Sequence, residues 1–223
     1  MISSTPSILL MTKIFVCFLL YFNTNYANAT DKVSADVSVS YYDVKADSVD
    51  DLFDKIKING PKVNNKSAWA TLRWDLNTEY HFKKTNNTRC RFVAREVSVI
   101  AEIILPNWEN INEQENDLQR WWKKFSKYIE DHENKHLDNI IYNSKVMTEK
   151  IKDLPFFDGC SGARNNYLSV KHDILGAIRK ADKIIDKNTF RDIQENKPLF
   201  RYLPRKMRSI TIESGGMQSY ITF

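Results

Sequence analysis

The residues best suited to chemistry form one short run, His132-Glu133-Asn134-Lys135-His136. In a helix, side chains four positions apart stack one turn above each other, so His132 and His136 can bring two ring nitrogens to one metal ion. Glu133 lies one position round the helix, from where its carboxylate can reach a water at the metal. It can take a proton during attack on a peptide carbonyl and return it to the leaving amine. The spacing predicts a zinc site with two histidine ligands and Glu133 as general base.

The apolar residues around this run favour a metal site over a pair of surface histidines. His132 follows Ile129 by three positions and His136 precedes Ile140 by four, which places both rings in an apolar stripe. Imidazoles buried there need polar partners, and a metal ion supplies them. Ordinary surface histidines are one alternative. A structural zinc is another, although such a site has no need of the Glu133 carboxylate. The alternative function is therefore a catalytically weakened or inactive zincin-like binding protein.

The helix that carries the run is predicted by apolar residues that recur about every 3.6 positions after Trp108. They are Leu118, Trp121, Trp122, Phe125, Ile129, Ile140, Met147 and Ile151. The pattern spans about 40 residues before Pro155 and is longer than most globular helices, so a bend or break near Asn143-Ser144 is expected. A final helix is predicted from Ala163 to Ile185.

Apolar and polar residues alternate in three segments before this helix, which predicts strands. The segments are 33–41, 68–76 and 93–105. A short helix capped at Asp47-Ser48 and ended by Gly60-Pro61 separates the first two. The connections 61–67 and 77–92 are too polar for crossover helices, so the strands are expected to be antiparallel.

The expected fold class is α+β, with a small antiparallel sheet packed on the long zinc-binding helix in a zincin-like arrangement. The active-site cleft should lie between the sheet edge and that helix. An extended peptide or protein substrate can then add to the edge strand.

The first 29 residues have the composition of a secretory signal peptide. Lys13 precedes an apolar run from Ile14 to Phe22, and Ala27-Asn28-Ala29 matches the small-x-small cleavage pattern. The run is short for a membrane span, and no later segment resembles one, so no stable membrane insertion is expected after cleavage. An uncleaved N-terminal anchor is the alternative. We expect a secreted or periplasmic protein.

Three parts of the chain follow from this interpretation: a signal peptide at 1–29, a metallopeptidase domain at 30–196 and a basic extension at 197–223. The net charge of the whole chain is +5. One charge, Lys13, leaves with the signal, and the extension carries five basic residues and one acid. The domain itself is therefore balanced, and without a basic face no nucleic-acid partner is expected.

Two cysteines, Cys90 and Cys160, remain once Cys17 leaves with the signal. In an exported chain two cysteines most simply form one disulfide. Two unpaired buried thiols are the alternative.

Further residues make the chain resemble a family of predicted secreted zinc-dependent proteases from bacteria, domain of unknown function 922. Besides the His-Glu-x-x-His run, the matching residues are Tyr41-Tyr42-Asp43-Val44, Ser48, Leu52, Gly60-Pro61, Ala70-Thr71-Leu72-Arg73-Trp74, Cys90, Leu105-Pro106-Asn107-Trp108, Trp121-Trp122, Phe125 and Cys160. Their order and spacing cover roughly residues 39–190. The resemblance implies an exported metallopeptidase.

The third zinc ligand is where the chain departs from that family. A catalytic zinc normally has three protein ligands, and the run supplies two. In the family, a later segment with Asp, Thr and then His-Gly is suited to supplying the third. It aligns here with residues 185–192, so Arg191 stands at the histidine position and Asp192 at the glycine position. Arginine stays protonated and does not bind zinc.

The remaining candidates for this ligand are His172, Asp186 and Asp192. His172 is the only other histidine on the final helix and is the best single candidate, although Lys171 and Asp173 beside it favour an exposed position. Both carboxylates are acceptable to zinc. Weaker zinc retention and lower activity than in relatives with the full motif are expected.

Overall fold

A computed structural model describes residues 33–63, 65–85, 88–195, 198–200, 202–203 and 218–222. The predicted signal peptide, 1–29, lies outside the described residues. Within them, no helix is both long and apolar enough to cross a lipid bilayer.

The described residues form a six-stranded sheet and three α-helices. The strands are β1 Val33–Val44, β2 Lys62–Val63, β3 Lys66–Thr85, β4 Arg89–Trp108, β5 Phe157–Asp158 and β6 Gln218–Thr222. Their order is β1-β4-β3-β2, with β5 on β4 and β6 on β3. The fold class is therefore α+β, as predicted.

The prediction of an antiparallel sheet was wrong, because the sheet is mixed. β1 runs parallel to β4 from Val33 beside Val97 to Val44 beside Trp108. The expected polar connection 77–92 was also wrong, since β3 and β4 continue through it as one long hairpin. In this part of β3 and β4, pairing between the strands satisfies the backbone N–H and C=O groups, and the side chains need not be apolar. The alternation of apolar and polar residues therefore stops before the strands end.

The helices are α1 Val49–Asn59, α2 Asn116–Lys152 and α3 Gly159–Gln194. The Ser48 side chain caps α1 by accepting a hydrogen bond from the Asp51 backbone N–H, as its sequence position indicated. The break expected near Asn143-Ser144 does not occur, because α2 runs through both residues without interruption. Both side chains there donate to carbonyls one turn back, to those of Asn139 and Ile140, and the helix continues.

An aromatic cluster joins α2 to the sheet and α1. The Phe125 ring centroid lies 5.0 Å from that of Trp121, 5.3 Å from that of Trp69 and 5.6 Å from that of Phe53. Such contacts contribute about 0.5–1.5 kcal/mol per pair beyond burial of apolar area. The cluster holds the first half of α2 against β3, which positions the histidine run in the next two turns.

The segment after residue 197 contributes to the packing where it is described. Phe200 and Leu203 are buried, and the Trp121 indole N–H donates to the Leu199 carbonyl. The β6 strand, further along, pairs with β3.

Cys90 and Cys160 form a disulfide, which confirms the predicted pairing. It ties β4 to the first turn of α3 and closes a loop of 70 residues. Replacing both cysteines by Ser is expected to lower the free energy of unfolding by about 4 kcal/mol, because the unfolded chain regains the entropy of that loop. Urea unfolding of the oxidised parent and of the Cys90→Ser/Cys160→Ser variant measures the difference. Equal midpoints would contradict this prediction.

Candidate metal centre

Three buried side chains from two helices bring their ligand atoms together. His132 and His136 come from α2, and Asp186 comes from α3. The Nε2 atom of His136 lies 3.1 Å from that of His132 and 3.0 Å from Asp186 Oδ1, and His132 Nε2 lies 3.4 Å from the same oxygen. These three residues form a group that can hold a metal ion.

The distances within the group fit one small cation. Ligand atoms on a tetrahedral zinc, with bonds of about 2.0–2.1 Å, lie about 3.3–3.4 Å from each other. The observed separations of 3.0–3.4 Å therefore need to widen by a few tenths of an ångström at most. Asp186 Oδ2 is buried and has no hydrogen-bond partner among the described residues. A metal ion would satisfy the carboxylate that the protein itself leaves partly unpaired.

The other ring nitrogen of each histidine is held by α3. His136 Nδ1 lies 2.8 Å from Asp182 Oδ1 and donates to it, because a carboxylate oxygen only accepts. His132 Nδ1 lies 2.8 Å from Thr189 Oγ1. Asn139 also donates to Asp182, which fixes that carboxylate from the α2 side. Partners of this kind turn both Nε2 atoms toward the metal position.

The charges of the group show how a metal ion competes with a proton. Burial tends to lower the pKa of His136, but its hydrogen bonds to Asp182 and Asp186 outweigh burial and raise the pKa to about 10. Burial lowers the pKa of His132, which stays neutral. A protonated His136 would donate from Nε2 to Asp186 Oδ1, which lies 3.0 Å away.

Metal binding is expected to release about one proton per ion at pH 7.5, since the His136 proton must leave before Nε2 can bind. Affinity should then rise about tenfold per pH unit while the pH stays below about 10, where the proton dissociates without help. Calorimetry in buffers of different ionisation enthalpy measures the released protons. The His172→Ala variant is the control and should release the same number. Binding without proton release would show that His136 is not protonated in the metal-free protein.

Glu133 lies next to the group and is fully buried. Burial raises the pKa of its carboxyl to about 8. The Leu72 backbone N–H lies near enough to lower this pKa slightly, but neither carboxylate oxygen has a hydrogen bond of ordinary geometry among the described residues. A buried carboxyl left in this state is free to exchange a proton with a bound molecule.

The structure distinguishes between the candidates for a third ligand. Asp186 lies in the group, whereas the His172 side chain is 80% exposed on α3, as its charged neighbours indicated. Asp192 accepts a hydrogen bond from the Tyr128 hydroxyl and is not in the group. Of the three candidates only Asp186 lies with the two histidines, so the geometry favours it over His172, and the identity of the third ligand stays a prediction.

Helix register explains why Asp186, and not Arg191, faces the two histidines. Positions 182, 186, 189 and 193 are buried and share one face of α3. Arg191 lies off this face, is largely exposed and is 3.9 Å from Glu195. Asp186 and Thr189 are the Asp and Thr of the segment that the resemblance had singled out. The expected weaker zinc retention, which was argued from Arg191, stays a prediction.

Sequence reasoning missed Asp182 and Thr189. Both alternate at helical spacing with Ile178 and Ile193, which are buried on the same face of α3. Ile184 of the same helix is apolar but exposed. In the sequence, the regular spacing of these polar residues among the apolar ones was the signal that could have indicated a polar site on this helix.

The comparisons with known proteins agree with the extent of this site. A family model described as bacterial protein of unknown function (DUF922) matches residues 39–192. No curated protein and no solved structure shows a significant match to the chain. The matched range contains all of the residues in and around the candidate metal centre.

Proposed function

From the membership of this chain in the DUF922 family of bacterial proteins, and from its buried His-His-Asp group, we propose that it is an exported zinc-dependent peptidase. The observation that carries the proposal is the position of Glu133. A buried carboxyl without an ordinary hydrogen bond stands beside three convergent ligand atoms. This combination is what hydrolysis by a metal-activated water requires.

Zinc is the metal that the ligand set favours. Two imidazole nitrogens and one carboxylate oxygen are typical of catalytic zinc, and three protein ligands leave a fourth position for water or substrate. When bound, the metal supplies the positive charge that acidifies water and polarises a peptide carbonyl.

Glu133 is the general base and then the general acid. Its raised pKa, about 8 without metal, falls beside positive charge, so the carboxylate form is present near neutral pH. It takes the proton of the attacking water and gives it to the amine that leaves when the C–N bond breaks. Asp182 and Thr189 hold the two rings so that His132 and His136 keep their ligand atoms in place.

An exported location fits the disulfide. Bonds of this kind persist in oxidising compartments such as the periplasm and the cell exterior. The Cys90–Cys160 bond is compatible with the predicted signal peptide and with secretion.

A second candidate is a zincin-like binding protein that keeps its metal for stability. Full burial of the group favours it, because a structural site needs no access for substrate. Metal analysis followed by digestion of a mixed peptide library tests the two functions. Metal-dependent hydrolysis that is lost in Glu133→Gln supports the peptidase, and bound metal without hydrolysis supports the binding protein.

A further inference from the structure

The edge of β3 nearest the candidate site is occupied by the end of the chain itself. β6 runs antiparallel to β3, with Ser219 opposite Leu72 and Tyr220 opposite Thr71. It pairs on the side of β3 away from β4, beyond Ser67, the last residue of β3 that pairs with β2. Without β6, β3 would have an open sheet edge at Leu72 and Arg73.

This stretch of β3 also lies close to the proposed general base. The Leu72 backbone N–H lies beside the Glu133 carboxylate. β6 also lies against α3, the helix that supplies Asp186. β6 therefore lies beside both the strand whose Leu72 N–H is near Glu133 and the helix that supplies Asp186.

An extended peptide adding to this edge would need the backbone positions that β6 holds. Strand addition uses the same N–H and C=O groups for every extended segment, largely independent of its side chains. Glu133, His132, His136 and Asp186 are all buried while β6 is in place. We propose that β6 is an intrachain competitor that occupies the peptide-binding edge of β3, so that tail and extended peptide exclude each other. The proposal deepens the proposed peptidase function and rests on it.

The expected effect of β6 on peptide affinity can be estimated from its attachment to the same chain. A tethered segment has an effective concentration on the order of 1 mM. With a dissociation constant of about 0.1 mM for the free segment, the tail occupies the edge in about ten of eleven molecules. A peptide should then bind about tenfold more tightly to a chain that lacks the tail.

The first experiment compares the full chain with a chain that ends at Met217, both carrying Glu133→Gln so that the probe is not cleaved. The probe is a fluorescent peptide with the sequence of residues 217–223, and anisotropy measures its binding. We expect about tenfold tighter binding to the shortened chain, and faster amide hydrogen exchange at residues 68–73. Equal affinity for the two chains overturns the proposal.

Two substitutions in the full-length chain provide a matched pair that keeps the tail present. N–H groups of successive strand residues point to opposite sides, so of Ser219→Pro and Tyr220→Pro only one removes a hydrogen bond to β3. Proline tolerates the extended backbone at either position. One variant should bind the probe like the shortened chain and the other like the full chain. Two variants that both bind like the full chain contradict the proposal.

Hydrolysis separates this proposal from the proposed function. With Glu133 restored, the shortened chain should cleave a mixed peptide library about tenfold faster than the full chain, and the 217–223 peptide at millimolar concentration should slow it. Tighter probe binding to the shortened chain without any hydrolysis would support the competition by β6 and contradict the proposed peptidase function. If the full and shortened chains hydrolyse peptides at equal rates and bind the probe equally, the peptidase function is supported and the competition by β6 is contradicted.

Discussion

Glu133→Gln is expected to lower peptide hydrolysis about 10²- to 10⁴-fold, the usual contribution of a general acid–base group. Glutamine has nearly the same shape, but its amide cannot take the proton of the attacking water. His132, His136 and Asp186 are unchanged, so the metal content should stay at the parent level. Steady-state hydrolysis and metal analysis of the same preparation measure both effects.

The control for this variant is Asp131→Asn, which removes a carboxylate from the exposed side of the same helix. It should hydrolyse peptides like the parent. Unfolding also distinguishes catalysis from damage. Burial raises the folded-state pKa of Glu133 to about 8, so the charged form costs stability above its unfolded pKa. Metal-free Glu133→Gln should therefore be at least as stable as the metal-free parent near pH 7. Unchanged hydrolysis in Glu133→Gln would make the mechanistic assignment wrong.

Asp186→Ala is expected to weaken zinc binding about 10²- to 10³-fold. Structural zinc sites with four ligands bind with about 10–16 kcal/mol, so one ligand contributes roughly 2.5–4 kcal/mol. The substitution also removes the carboxylate that accepts a hydrogen bond from His136, which leaves a cavity between the two helices. Competition with a chromogenic chelator at fixed pH measures the affinity.

Three further variants test whether this loss comes from the ligand. Asp182→Asn acts through His136 and should cost about 10- to 100-fold, as other partners of metal-bound histidines do. His172→Ala and Asp192→Ala, the other candidates from the sequence, should bind zinc like the parent. Parent-like affinity in Asp186→Ala would refute Asp186 as the third ligand. A loss in His172→Ala alone would restore the sequence-based choice.

Secondary structure was predicted best where local patterns are complete. The Ser48 cap, the alternation in 68–76 and the helical stripe of α2 each depend on neighbouring residues, and each is present in the structure. Predicted ends were less accurate, since α3 begins at Gly159 and reaches Gln194. Helix ends depend on packing against other elements, which no local pattern records.

Strand pairing could not be predicted from the same patterns. The residues of β1 are equally compatible with a parallel and an antiparallel position beside β4. The alternation in β1 did predict one apolar face, but Val37, Val39 and Tyr41 on it are exposed, with Tyr41 at 63%. The strand lies at the edge of the sheet, where no described helix covers those side chains. Only the arrangement of the helices over the sheet decides which apolar face is buried.

The sequence by itself determined the residues within one turn of each other at the site. His132, Glu133 and His136 have their relative positions from helix geometry alone, which is why their roles could be proposed without a structure. The disulfide was also determined, because only two cysteines remained after the predicted cleavage. These inferences need only the spacing of residues along one helix or a count of cysteines, and both can be taken directly from the sequence.

Tertiary structure decided which residues complete the site. Asp186 lies 50 residues from His136 along the chain, and its approach depends on how α3 packs against α2. The rotation of α3 about its axis turns Asp182, Asp186 and Thr189 toward the histidines and His172 and Arg191 toward solvent. That rotation is set by the sum of apolar contacts between the helices and the sheet, and no single residue specifies it.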